Sequence, residues 1–281
     1  MLSYRHKKLI RRFLKGRIII YGCILLVLVV LAFFAPYLAP YDPIQISMEG
    51  RKSPNIDHIF GTDRVGRDIF SRVMYGAKFS LTIGIISVSI GLTIGTIMGV
   101  ISAYYGGIID TIIMRFIDAL LAFPGILLAL VVIAVLGPGL TNVMLAVGIS
   151  SVPEYARLAR GKVLSVMQLE YVEAIHSLGG SNFRIIVKHI LPNISAPITI
   201  LATLQVGNAI LVGSGLSFLG MGAQPPTPEW GLMTAEGRNF ISQAWWISTF
   251  PGIAILITVL AINLVGEGLN DALNPRLRER N

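Results

Sequence analysis

The feature that most constrains this chain is a series of apolar runs, too long for tilted strands and too poor in charge for a water-facing helix. A bilayer core needs roughly 20 apolar residues per helix. Runs approaching that length predict about six spans: Ile18 to Leu38, Ser80 to Ala103, Ile108 to Leu136, Leu140 to Tyr155, Ile194 to Leu219 and Trp245 to Val265. The third contains Arg115, Asp118 and Pro124, the fourth is short, and Trp245 and Trp246 sit where interfacial anchors belong. With 54% hydrophobic and 14% charged residues, the solvent of this chain is partly lipid. The expected class is therefore an all-α polytopic membrane protein.

The formal charge of +8 is unevenly placed: Arg5, Lys7, Lys8, Arg11, Arg12, Lys15 and Arg17 precede the first run without one acid. By the positive-inside rule that end is cytoplasmic, and an even number of spans returns Arg276, Arg278 and Arg280 to the same side. Arg157, Arg160, Lys162, Arg184 and Lys188 fall there too. The outer loop, Tyr41 to Phe79, fits less well, since it carries six cations among five acids. A cleaved signal peptide is the rival reading of the N-terminus, but the apolar run exceeds an ordinary h-region and more spans follow. Nucleic-acid binding would need a recognisable module, and none is present. Cys23 is alone, so the chain forms no internal disulfide and no cysteine cluster.

No GxxxxGK[ST] phosphate loop, HExxH or GxSxG motif occurs, and His6, His58, His176 and His189 are scattered. A transport role would then require energy from another subunit. The central ionisable residues, Arg115 and Asp118, stand three apart on one helix face, where a structural pair is favoured over a relay. Ser87, Gly91, Gly95, Gly99 and Ala103 recur every fourth residue, a small-residue row for close helix packing within a bundle or at a subunit interface. Gln205 and Asn208 share a face, suited either to interhelical hydrogen bonding or to lining a polar path.

Between the fourth and fifth spans some forty residues read as helix, turn, helix. Leu164, Met167, Tyr171, Ile175 and Leu178 form an apolar stripe. Gly179 and Gly180 end the first helix and Ser181 can cap the second, which carries Phe183, Ile186, Val187 and Ile190 and should stop near Pro192. Periodicity alone leaves open whether this element rests on lipid or meets a partner.

The residue order goes further. Glu173-Ala174-Ile175-His176-Ser177-Leu178-Gly179, followed by Ile190-Leu191-Pro192, resembles the EAA-x3-G-x9-I-x-LP signature of permease subunits in ATP-binding-cassette importers, with Ile175 in place of the second alanine. The segments from Phe60 to Asp68, Gly215 to Gly220, Pro225 to Gly231 and Asp271 to Arg276 are similar to the C-type permease of dipeptide, oligopeptide and nickel importers.

That resemblance implies a type I importer permease fold with a cytoplasmic coupling helix. It divides the chain into a basic N-terminus (1–17), a first helix (18–38), an extracytoplasmic loop (39–79), a core permease domain (80–268, with the EAA loop at 156–193 and an outer loop at 220–244) and a cytoplasmic C-terminus (269–281). The implied assembly is this permease, a homologous second permease, two ATPase subunits holding ATP and Mg, and an extracytoplasmic solute-binding protein in a bacterial or archaeal plasma membrane. No cofactor or metal falls to this chain, which has no catalytic role of its own. Glu173, Ala174, Gly179, Ile190, Leu191 and Pro192 take the coupling role, Glu173 through polar contacts, Gly179 in the turn and Pro192 as a helix stop. Short peptides are the expected solute, nickel or glutathione the alternatives. An ion-coupled secondary transporter would need coupling groups and an internal repeat, and an intramembrane enzyme an unrecognised nucleophile.

Overall fold

The computed structural model describes residues 17–273, so the basic cluster before the first helix and the arginines beyond Leu273 lie outside the described residues. Among the described residues ten α-helices follow one another, and the only ladder contact is an isolated bridge between Thr62 and Asp68. Helix α1 (Arg17–Leu38) lies at the periphery against α2 and α10, with only 6% of its apolar window buried. It joins the internal core only through Ala32, Leu25 and Leu28, and leaves most of its other apolar side chains uncovered.

Helix α2 (Ile69–Tyr105) begins eleven residues before the span expected at Ser80, because Asp68 caps it, its carboxylate accepting the Ser71 N–H at 2.7 Å. At 1.5 Å per residue its 37 residues extend about 55 Å, well beyond a roughly 30 Å hydrocarbon core. Its first turns therefore project from the bilayer. Gly106, at φ 62, ends it where an L side chain would be strained.

The run from Ile108 to Leu136 is not one straight span. Helices α3 (Gly107–Leu121) and α4 (Gly125–Leu136) meet at 96°. Pro124 supplies no N–H and biases Phe123 away from helix, so the ladder breaks there. Helix α5 (Leu140–Met167) continues past Tyr155 for three further turns, bringing Arg157, Arg160 and Lys162 into the helix. At 28 residues it is about 42 Å long, yet this charge keeps it below the apolarity of a lipid-facing span. By length and composition four of the described helices, or five counting the bent pair, qualify as spans, and of the six expected runs only α5 falls short of that measure.

Helices α6 (Glu170–Ser177) and α7 (Asn182–Ile185) are short, and a π turn (Ile186–Ile190) joins α7 to α8 (Leu191–Phe218). Pro192 does not stop a helix, contrary to expectation, because residues Asn182–Phe218 run on as one helical segment. The ladder widens just before it. Leu191 N–H reaches back five residues to Ile186 O, relieving the clash a proline ring makes one turn earlier. Helix α9 (Trp230–Gly237), a 3₁₀ turn (Arg238–Phe240) and α10 (Trp246–Leu273) complete the chain.

The most extensive interface joins α2 and α5. Ser87 Oγ donates to Met144 O at 3.0 Å, and Gly91, Gly95 and Gly99 each face α5 backbone or small side chains. A Cβ at Gly95 would lie 2.5 Å from Val152 O and 2.6 Å from Tyr155 Cβ. The row of small residues thus packs inside this chain. One core surrounds the α2–α5 contact and extends to α4 and α8; a second gathers Trp230, Trp246, Ile210 and Ile262 at the opposite end from the α6–α7 hairpin.

That end is closed by an ionic plate built from the Phe60–Asp68 segment. Asp63 accepts the Val65 and Arg67 amides at 2.9 and 3.0 Å and the Arg67 guanidinium at 2.5 Å, while Arg67 and the buried Arg72 both reach Glu236. Gly61 and Gly66 have φ 72 and 84, and a Cβ on either would strike Trp246 or Ser47. The plate takes two of the six cations of the Tyr41–Phe79 loop out of the surface charge: Arg67 and Arg72 are buried counter-ions.

Candidate functional site

The α6–α7 hairpin is seated on the main core by Val172, Ile185 and Ile190, all buried, with Met167, Ile175 and Ile186 partly buried beside them. Its position is fixed further by Tyr104 Oη, which donates to Asn182 Oδ1 at 3.0 Å, and by Asn193 Nδ2, which donates to Tyr171 Oη at 2.9 Å. The expected stripe from Leu164 to Leu178 is not the buried face. It crosses the break at Gln168 and Leu169, so its parts belong to two helices of different direction, and Leu178 is 87% exposed. Phe183, one of the apolar residues expected along the second helix, is 78% exposed.

Helix α6 ends as its glycines require. Gly180 N–H donates to Ile175 O and Gly179 N–H to His176 O, both at 3.0 Å, the paired bonds of a Schellman turn, with Gly179 at φ 80. A Cβ at Gly179 would meet nothing within 4 Å, so backbone conformation, not crowding, selects glycine there. Ser181 stands at the N-cap of α7 but its side chain makes no capping bond.

Of the residues assigned to coupling, Glu173, Ala174, Gly179 and Pro192 are exposed, and Leu191 lies at 36%. Ile190 is buried in the core. Counted from Gly179, the isoleucine of the signature falls on His189, so Ile190 occupies a spacer position and serves as an internal anchor of the hairpin. A groove of about 410 Å³ between the hairpin and the end of α2 is lined by Tyr104, Tyr105, Glu173, His176 and Asn182.

Arg115 and Asp118 do not pair. Asp118 accepts Arg157 Nη2 at 2.6 Å, and Asp110 holds Arg160 through two bonds at 2.7 and 2.6 Å, so α3 is clasped to α5 at two levels. Arg115 makes no ion pair among the described residues. Three-residue spacing permitted the local pair, but α5 offers both aspartates a guanidinium, and Arg bonds a carboxylate through a planar fork.

One ionisable residue at mid-helix was not singled out from the sequence. Glu154 stands fourteen residues into α5, about 21 Å from its start, and Gln205 fourteen residues into α8. Gln205 Nε2 donates to Glu154 Oε2, and Asn208 Nδ2 donates to Gln205 Oε1 at 3.0 Å. These three residues, with Ser150 and Ser151, line a cavity of about 200 Å³ that also touches Gly125 at the break between α3 and α4. The shared face of Gln205 and Asn208 is therefore polar on both counts, bonded across helices and open to a cavity. The expected span from Leu140 to Tyr155 placed Glu154 at its very end, beside Arg157 and Arg160, and so it was not counted among the central ionisable residues.

Comparison with known proteins identifies this architecture. The family described as binding-protein-dependent transport system inner membrane component matches residues 91–279, and the N-terminal TM domain of oligopeptide transport permease C matches residues 7–54. Among curated relatives, a glutathione transport system permease protein GsiD of Pectobacterium atrosepticum is 46% identical over 271 residues, covering 95% of this chain and 90% of the relative. A dipeptide transport system permease protein DppC of Alkalihalophilus pseudofirmus is 45% identical over 266 residues, covering 94% and 88%. The fold is shared with the MetNI methionine ABC transporter solved in inward-facing conformations, at TM-score 0.60 and 18% identity over 73% of this chain and 98% of that one. The chain belongs to the binding-protein-dependent transport system inner membrane components, as a C-type permease of the peptide ABC-importer group with a type I permease fold.

Proposed function

We propose that this chain translocates short peptides, pairing with a homologous second permease and drawing energy from two separate ATPase subunits that bind ATP and Mg. An extracytoplasmic solute-binding protein delivers the peptide to the end carrying the ionic plate, and the α6–α7 hairpin faces the ATPases in the cytoplasm, as do both termini. The observation that carries the coupling role is the hairpin's construction. It is seated on the core through Val172, Ile185 and Ile190 yet presents Leu178 and Phe183 uncovered. Apolar side chains this exposed, on a rigidly seated tip, suit a pocket in a partner.

The expected mechanism is alternating access: ATP binding closes the ATPase pair, the docked hairpins move with it, and the helices change from inward-open to outward-open. Such a shift requires the hairpin to bind the two ATPase states with different affinity, because equal contacts move no equilibrium. Peptide is favoured as solute because relatives of similar identity are named for dipeptide and for glutathione, itself a short γ-linked peptide. The test is uptake of labelled dipeptide by the reconstituted complex with its cognate binding protein, in competition with glutathione and nickel. Dipeptide uptake dependent on ATP supports the reading; ATP-dependent uptake of nickel alone would replace it.

A further inference from the structure

The Glu154 carboxylate has no counter-ion among the described residues. Oε2 is met by an amide, no protein donor among those residues reaches Oε1, and the lining of the adjoining cavity contains no Lys, Arg or His. Yet Glu154 lies near the midpoint of α5, exposed in this chain and facing Gln205 half-way along the spanning helix α8, and a carboxylate turned to lipid there would cost several kcal/mol. The other acids of α3 and α5, Asp110 and Asp118, each have an arginine. Glu154 is left for a cation that the described chain does not supply.

We infer that Glu154, with Gln205 and Asn208, forms a mid-membrane subsite for an ammonium group of the passing solute. The inference rests on the peptide reading above and deepens it. The chemistry is suited: Gln205 donates to one carboxylate oxygen and is itself oriented by Asn208, so the carboxylate is held in place with capacity to accept from an ammonium. Ser150 and Ser151 add hydroxyls along the same wall. The cavity is small beside a peptide, which suits capture of one end group and onward release.

The test uses the whole reconstituted complex with Cys23→Ser, and Ser150→Cys as a near-isosteric reporter in the cavity. Modification of this chain by a cationic and by an anionic methanethiosulfonate is followed by mass. The cationic reagent is expected to react at least about tenfold faster relative to the anionic one than in the same chain bearing Glu154→Gln, and dipeptide presented with its binding protein should slow it. In parallel, Glu154→Gln should lower dipeptide uptake per ATP hydrolysed about tenfold, while Glu154→Asp retains uptake. A charge ratio unchanged by Glu154→Gln, or wild-type uptake per ATP in that variant, overturns the subsite. If Glu154→Gln fails to assemble, Glu154→Asp decides: loss of the cationic preference despite the retained charge overturns it. A complex that keeps the Glu154-dependent ratio but transports no peptide removes the peptide reading and leaves a cation subsite standing.

Discussion

Glu229 shows how one buried carboxylate organises the end that carries the ionic plate. It caps α9, accepting the Gly231 and Leu232 amides at 2.9 Å each, and its side chain also receives Ser214 and Ser80 hydroxyls at 3.3 and 3.5 Å. Burial pushes its pKa up from the ordinary carboxylate range, against the pull of those amides. The folded state therefore holds the proton more tightly than the unfolded chain between the ordinary value and the raised one. Stability falls as pH rises through that window and is level beyond it. Thermal unfolding of the purified complex across the acidic range should show this component in the wild type and lose it in Glu229→Gln. An identical pH slope in both proteins would refute it. Glu229→Ala should cost about 1–3 kcal/mol, since two buried amides lose their acceptor.

At the scale of elements, the α2–α5 contact and the α6–α7 hairpin use glycine for different reasons. Gly95 is crowded by α5 backbone, whereas a Cβ at Gly215 in α8 would have nothing within 4 Å. Gly95→Leu should abolish assembly or lower the unfolding temperature sharply, overpacking costing about 1–3 kcal/mol or more; Gly215→Ala should be neutral or stabilising by about 0.5–1 kcal/mol. Comparing the two melting curves checks both. Gly179 is free of crowding but sits at φ 80. Gly179→Val should uncouple solute-stimulated ATP hydrolysis from uptake, while Gly179→Asn, which tolerates the left-handed region better, should retain more of both. Survival of both activities in Gly179→Val would remove the turn from the coupling role.

These elements also mark what was legible in the sequence. Four-residue spacing of small residues named one face of α2, and glycine pairing located the end of α6, because both signals are local. The α2 start was displaced by eleven residues because Arg72 and Lys78 read as loop, and only the distant Glu236 explains a buried Arg72. The stripe from Leu164 to Leu178 kept its period across a break that periodicity alone does not reveal. Glu154 was not singled out for a related reason: its meaning depends on Gln205, fifty-one positions away.

In the whole molecule, the two ends have opposite construction. One is a plate of buried ion pairs, aromatic stacks such as Phe60 on Phe250 at 4.0 Å, and capped helix starts. The other is a small hairpin with uncovered apolar tips on a packed base. Between them, α5 and α8 each carry polar groups at mid-length, so under the proposed coupling role force entering at the hairpin would pass into the helices that bear Glu154 and Gln205. Helix α8 is continuous with the hairpin through the π turn, and under that proposal it is the direct lever. The breaks at Pro124 and at Gly106 leave α3 and α4 attached to α5 chiefly by ion pairs and side-chain packing.

The most direct measurement is copurification of the ATPase subunits with this chain, paired with uptake, for wild type and for Leu178→Asp combined with Phe183→Asp. Both side chains are exposed in the isolated chain, so the fold should survive and its melting temperature should stay unchanged. ATPase recovery and dipeptide uptake are expected to fall together by at least about tenfold. Full recovery of the ATPases with wild-type uptake in the double variant would contradict the hairpin as the point where energy enters.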